Sequence, residues 1–272
     1  MRVPSLLSIV ILALGVVRSA SAQAPEVQIA AVPEYTTVAP GRSFRVAVRL
    51  RLPDGWHIAW TNPGQSGLPT TLAWTAPTGI SLGATEWPFP ERDEVAGLVN
   101  HIYRGGVVIV TSFHADATAR GRVAVLRGEF RWGMCAKLCV PQTRTVEISV
   151  PLQGGRAEAS PGWRGLEADF AALPVPSAGL TLHSVVRGDS VRLTIAGPAV
   201  GRSPATTATF FPLESGAAVV VPMRATPGMA TVTLPSRALR SGSRQLAGIL
   251  VAAPAWLMTA RRRALVVATV VE

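Results

Sequence analysis

The sequence predicts an all-β protein built as two β-sandwiches joined by a linker with one short helix. Three observations carry this. Short runs of Val, Thr, Leu and Ile alternate with polar or basic residues, as strands with one wet face do. In a chain of 272 residues, 22 prolines and 25 glycines punctuate those runs. The pattern stops near Leu152 and resumes at Gly179, which divides the strands into two groups. Each group is long enough to bury a core of its own.

Residues 1–22 read as a secretory signal peptide. Arg2 precedes the apolar run LLSIVILALGVV, and Ala20-Ser21-Ala22 supplies the small residues of a cleavage site after Ala22. The run is short for a membrane anchor, and Arg18 interrupts it. The stretch LAGILVAAPAWLM (246–258) is also too short to span and carries Pro254. The expected address lies outside the cytoplasm, where disulfides persist. Without Arg2 and Arg18 the net charge of +10 becomes +8. Such a surface suits anionic lipid or acidic partners. Nucleic acid is a poor fit, because no basic–aromatic motif appears. Arg261-Arg262-Arg263 reads as a solvated turn or edge.

Residues 23–152 form the first predicted domain. Its clearest strands are FRVAVRLRL (44–52), GGVVIVTSFHA (105–115), RVAVLRGEFRW (122–132) and RTVEISVPL (144–152). Between them, Asn62-Pro63-Gly64 and Ser66-Gly67 are turn chemistry, and Trp56, Trp60, Trp74 and Trp87 offer large apolar surfaces. Residues 153–178 have linker composition. Within them Ser160 and Pro161 read as cap and first residue of a helix over 161–173, with Trp163, Leu166, Phe170 and Leu173 as a stripe that packs on a domain. Residues 179–272 hold seven further strand-like runs and no chemical constellation. His101, His114 and His183 are isolated; the first two read as surface strand residues. No nucleophile–histidine–acid setting and no phosphate-cradling glycine loop appears.

The chain has two cysteines, Cys135 and Cys139, in RWGMCAKLCVPQ. Phe130, Trp132 and Met134 alternate and should share one strand face, with Cys135 opening the turn beyond. A bridge across so short a gap constrains the unfolded chain little, so stability is a weak reason for it. Three readings stay open. The pair is redox-active, with Lys137 favouring the thiolate. Or it binds Cu(I), with Met134 as a third soft ligand. Or it is an inert bridge.

The segment 54–104 is more specific. Gly55-Trp56-His57, Asn62-Pro63-Gly64, Ser66-Gly67-Leu68-Pro69, Trp87-Pro88-Phe89-Pro90 and Trp132 ahead of Cys135-x-x-x-Cys139-x-Pro141 follow in order. With these, Gln23–Leu152 resembles the amino-terminal domain of the thiol:disulfide interchange protein DsbD family, above all its ScsB-type relatives. The 161–272 portion is similar to the second domain of those relatives, with fewer diagnostic residues. The resemblance implies an immunoglobulin-like sandwich in the periplasm and a protein-disulfide reductase module. It implies that Cys135 and Cys139 take electrons from a membrane-embedded, CcdA- or DsbD-like donor. They would pass them to periplasmic thioredoxin-like or other disulfide-bearing proteins, with no cofactor beyond the disulfide. It makes RDEVAG (92–97) the loop that caps the pair. Asp93 and Glu94 would be that loop's acidic residues, holding the thiol pKa up. Val95 stands where an aromatic is expected. Trp56, His57 and Trp132 match the aromatic surroundings of the thiols. Longer relatives continue into membrane helices and a thioredoxin-like domain; this chain ends at Glu272, so its donor is expected to be a separate protein. Cys135 is expected to be the less buried of the two thiols.

Overall fold

The computed structural model describes residues 25–119, 121–239, 244–258 and 262–272. The stretch expected to be a signal peptide, residues 1–22, and Arg261 lie outside them. The first sandwich holds ten strands: β1 (Gln28–Pro33), β2 (Ser43–Arg51), β3 (His57–Gly64), β4 (Thr71–Thr75), β5 (Ile80–Glu86), β6 (Glu91–Val95), β7 (Leu98–Arg104), β8 (Gly106–Ala115), β9 (Val123–Cys135) and β10 (Cys139–Pro151). One sheet runs β1-β2-β8-β5. The other runs β10-β9-β3-β7-β6, with β4 also pairing β9. Alternation decides what each strand buries. From β2, Phe44, Val46, Val48 and Leu50 face inward and meet Leu126, Phe130, Trp132 and Met134 of β9. Pro141 lies within β10, which is an edge strand where a missing N–H is tolerated.

The expected helix over 161–173 is shorter than the pattern suggested. A single turn, α1 (Pro161–Arg164), is capped by the Ser160 hydroxyl, which accepts from the Trp163 N–H at 3.1 Å; a 3₁₀ turn follows at Asp169–Ala172. Gly165 and the residues after it break the helix, yet the stripe still finds its target. Trp163, Leu166, Phe170 and Leu173 cover Ala47, Val108 and Val110 on the outer face of the first sheet.

Seven strands make the second unit: β11 (Thr181–Arg187), β12 (Ser190–Ala196), β13 (Thr207–Pro212), β14 (Val219–Thr226), β15 (Met229–Pro235), β16 (Gln245–Val251) and β17 (Ala264–Val270). They pair in the order β11-β12-β15-β14-β13-β16-β17, and a bridge between Ser184 and Val271 brings the two ends together. The sheet therefore curls around its core, which includes Leu193, Phe210, Val232, Leu250 and Trp256.

The two units share a buried joint. Phe210 points into the second core, while its neighbour Phe211, with Ala218, Ile249 and Ala264, joins the core of the first sandwich. At the centre sits His101, fully buried, where the sequence suggested a surface position. Its ring stands edge-on to Phe211, centroids 5.3 Å apart, and lies 5.9 Å from Trp60. The Ala218 N–H donates to His101 Nε2 at 2.8 Å, so Nδ1 carries the proton and donates to the Asn62 carbonyl at 2.8 Å. Asn62 in turn donates from Nδ2 to the carbonyls of Pro212 (2.7 Å) and Gly216 (3.2 Å). Asn62 is thus no free turn residue. It belongs to a bulge in β3, whose register against β7 shifts between Ala59 and Gly64. Gly64 closes the bulge at φ 85°, where a Cβ would stand 2.4 Å from the Val99 carbonyl oxygen. Arg262 donates to the carbonyls of Phe170 and Leu173, and the Arg263 guanidinium lies 5.2 Å from the Phe89 ring centroid. Two of the three clustered arginines therefore pin the joint rather than ride a free turn.

Burial pushes the His101 pKa down to about 4 from the usual 6.5, against the hydrogen bond to Asn62 and with help from Arg92. Between these values the unfolded chain binds a proton that the folded chain refuses. Stability should therefore fall as the pH drops from about 6.5 to about 4, by roughly 3 kcal/mol in all, and level off below. Replacing the ring (His101→Ala) should cost about 2–4 kcal/mol at neutral pH, because it leaves a hole and two unpaired backbone groups. It should also flatten that part of the pH profile. Urea unfolding of both proteins at pH 7, 5.5 and 4 checks both expectations.

Candidate functional site

The long hairpin β9–β10 carries the cysteines at its tip. Its register sets Cys139 directly across from Cys135, with Ala136, Lys137 and Leu138 between them. The two sulfurs are bonded at 2.04 Å. Because Phe130, Trp132 and Met134 face the core as expected, alternation puts Cys135 on the opposite, outer face of β9. The two cysteines differ in burial, in the sense opposite to the one expected from the sequence. Cys135 is buried, 4% exposed, whereas Cys139 is exposed. The reason lies in the sheet. Cys135 is the last residue of a strand flanked on both sides, and Cys139 is the first residue of an edge strand.

The 66–69 turn packs on the outer face of β9, two residues before Cys135. Gly133 shares the outer face with Cys135, and a Cβ there would lie 3.1 Å from the Leu68 Cβ. A glycine inside a strand often marks such a close approach, so the signal was present in the sequence. The Gly133 carbonyl oxygen lies 3.7 Å from the Cys135 sulfur, in place to accept from that thiol once the bridge is reduced. Leu68 (44% exposed) and Leu138 (73% exposed) put apolar surface beside the bridge.

His57 is the ladder partner of Cys135 on β3, and Arg104 is the partner of His57 on β7. Directly opposed residues share a face, so these three line up across the sheet. His57 is half-buried. Burial lowers its pKa first, Arg104 lowers it further, and Asp93 opposes both. Arg104, which the sequence did not single out, holds Asp93 at 2.9 Å and Glu91 at 3.0 Å. The Asp93 hydrogen bond raises the pKa of that guanidinium, ahead of the Glu91 contact. Asp93 is thus matched by a cation rather than left as bare negative charge. Glu94 points the other way along β6 and pairs with Arg92 at 2.8 Å. Val95 is 57% exposed at the tight turn made by Ala96 (φ 51°) and Gly97 (φ 78°). Lys137 is exposed at the hairpin tip. Trp132 is buried beneath it, 6.5 Å from the Phe130 ring, and Trp56 is half-buried against the same core.

The geometry weighs on the copper reading. Met134 is fully buried in the core, on the face of β9 away from Cys135, so it cannot complete a ligand set with the two sulfurs. Among the described residues no cluster of three or more His, Cys, Asp or Glu is placed to hold an ion.

Comparison with known proteins bears on the domain that carries the hairpin. Residues 26–151 match the family model described as thiol:disulfide interchange protein DsbD, N-terminal. Among solved structures, the chain is similar to the N-terminal periplasmic domain of ScsB from Proteus mirabilis. The likeness has a TM-score of 0.56 at 17% identity and covers 89% of this chain and 92% of that one, which speaks for a shared fold across both units. The reduced N-terminal domain of DsbD from Neisseria meningitidis matches over 47% of this chain and 89% of its own, at 18% identity and a TM-score of 0.26. No curated protein matches. The first sandwich, with the cysteine hairpin at its rim, is therefore an immunoglobulin-like domain, and residues 26–151 belong to the family of DsbD amino-terminal domains, a family of thiol–disulfide interchange.

Proposed function

We propose that this chain is a periplasmic protein-disulfide reductase module that relays two electrons through Cys135 and Cys139. The observation that carries this reading is the asymmetric bridge: one cysteine exposed at a hairpin tip, its partner buried directly across the ladder from it. In the reduced form the Cys139 thiolate attacks one sulfur of a partner disulfide. A mixed disulfide forms, and the partner's other sulfur leaves as a thiolate and takes a proton. Cys135 then gives up its proton and attacks the Cys139 sulfur. The bridge closes, and the partner departs as a dithiol. His57, across the ladder from Cys135 and favoured in its neutral form by burial and Arg104, stands where it can accept that proton. Recharging runs the same steps backward, with a donor thiolate attacking the exposed Cys139 sulfur.

The donor is a membrane-embedded carrier of the CcdA or DsbD kind, and the recipients are periplasmic thioredoxin-like or other disulfide-bearing proteins. Leu68 and Leu138 offer either partner an apolar rim, and Lys137 puts an exposed cation at the hairpin tip between the two cysteines.

Two outcomes test the division of labour. Reduced Cys135→Ser, mixed with an oxidised thioredoxin-like protein, should accumulate a stable mixed disulfide through Cys139 on a non-reducing gel; Cys139→Ser should not. If Cys139→Ser traps the partner as well, the assignment of the attacking sulfur is wrong. Brief alkylation of the reduced wild-type protein, read by peptide mass spectrometry, should label Cys139 at least about ten-fold faster than Cys135, because the buried thiol is shielded. Equal labelling would contradict it.

A further inference from the structure

The positive charge of this protein is not spread evenly. Residues 179–272 contain ten arginines against three acidic residues, a net of +7, whereas residues 23–152 contain twelve cations against ten acids, a net of +2. In the first sandwich, Arg45, Arg92, Arg104, Arg127 and Arg131 each hold a carboxylate within 3.0 Å. In the second unit none of the seven strands contains an Asp or Glu. Arg192 on β12 and Arg224 on β14 are exposed, and neither has an ion-pair partner among the described residues.

Strand register places these two arginines on one surface. Arg192 is opposite Thr233 and Arg224 is opposite Thr231, so both flank the same pair of outward threonines on β15. Ser203, Thr206 and Pro222 line the same shallow cleft. Met229 (49% exposed) protrudes on the same side of β15 as Thr231, and Val220 (59% exposed) stands outward further along β14, where that strand pairs with β13. Of the three acids, Asp189 lies in the β11–β12 turn, Glu214 in the β13–β14 connection, and Glu272 stands 3.3 Å from His183. The strands of this face carry no compensating charge.

We propose that the outward face of β11-β12-β15-β14 is a docking face for an anionic phospholipid bilayer. Its composition fits that occupant. Guanidinium groups engage headgroup phosphates, hydroxyls fill the polar layer between them, and Met229 and Val220 reach the acyl boundary. An acidic protein would satisfy the arginines but gives no reason for the apolar side chains beside them. The inference stands apart from the exchange reading, because lipid binding is measured without thiol chemistry.

Co-sedimentation with vesicles tests it. The full chain, after removal of residues 1–22, should pellet with phosphatidylcholine vesicles containing one-third phosphatidylglycerol, and release as salt is raised. It should stay in solution with phosphatidylcholine alone. R192E/R224E should bind the anionic vesicles at least about ten-fold more weakly. R42E/R144E, exposed sites in the first sandwich with the same change in net charge, should bind within about two-fold of wild type. Unchanged thermal unfolding certifies that R192E/R224E is folded; if it is not, R192Q/R224Q takes its place. Equal losses in both double variants would overturn the assignment of the face. Equal binding to both vesicle types, or no binding, would overturn the lipid. So would soluble polyglutamate that binds through Arg192 and Arg224 while vesicles do not.

Discussion

The register of one hairpin governs the chemistry of this protein. Along Val123–Cys135, even-numbered residues from Ala124 to Met134 lock into the core, and that fixes which face Cys135 must occupy. A slip of one residue would turn the sulfur inward beside Ile58 and expose Phe130, Trp132 and Met134 instead. The ladder is long, and pairing continues from Cys139–Cys135 to Pro151–Val123 without a break, so such a slip would sacrifice every core contact on the strand. The inequality between the two sulfurs follows from the same placement. One lies in a strand with neighbours on both sides, the other at the start of an edge.

The joint between the two units bears on that hairpin through β3 and β7. His57 lies at one end of β3 and Asn62 near the other, with Trp60 between them in the core. The bulge that lets Asn62 reach Pro212 and Gly216 also places it where His101 can donate to its carbonyl. Every polar atom of this small network is matched, which is why a histidine can sit in an apolar joint without charge. The second unit thus closes the core behind the strand that carries His57, and does not hang from a free tether.

Much of this was legible in the sequence. The strands with alternating patterns, all seven of the second unit among them, lie close to where periodicity placed them. The thiol pair, Trp132 and His57 were named from spacing and resemblance. The residues that escaped are those whose roles come from distant chain. His101 reads as a surface residue because its burial is supplied by Phe211 and Ala218, more than a hundred positions away. Asn62 reads as a turn former because its side chain would suit one. Strands β3 to β5 contain Trp, Pro or Gly, and β6 joins β7 through the two-residue Ala96-Gly97 turn, so period alone did not separate them. The relative burial of Cys135 and Cys139 depends on which strand is an edge, a property of the sheet and not of local sequence.

The central claim is that the Cys135–Cys139 bond opens and closes reversibly in the folded protein. Equilibration in a graded series of reduced and oxidised glutathione buffers, with acid quench and thiol alkylation, measures this directly. The expected result is a single two-electron transition with the same midpoint approached from either side, while the fold persists. A bond that stays closed in every buffer until the protein unfolds would contradict the claim.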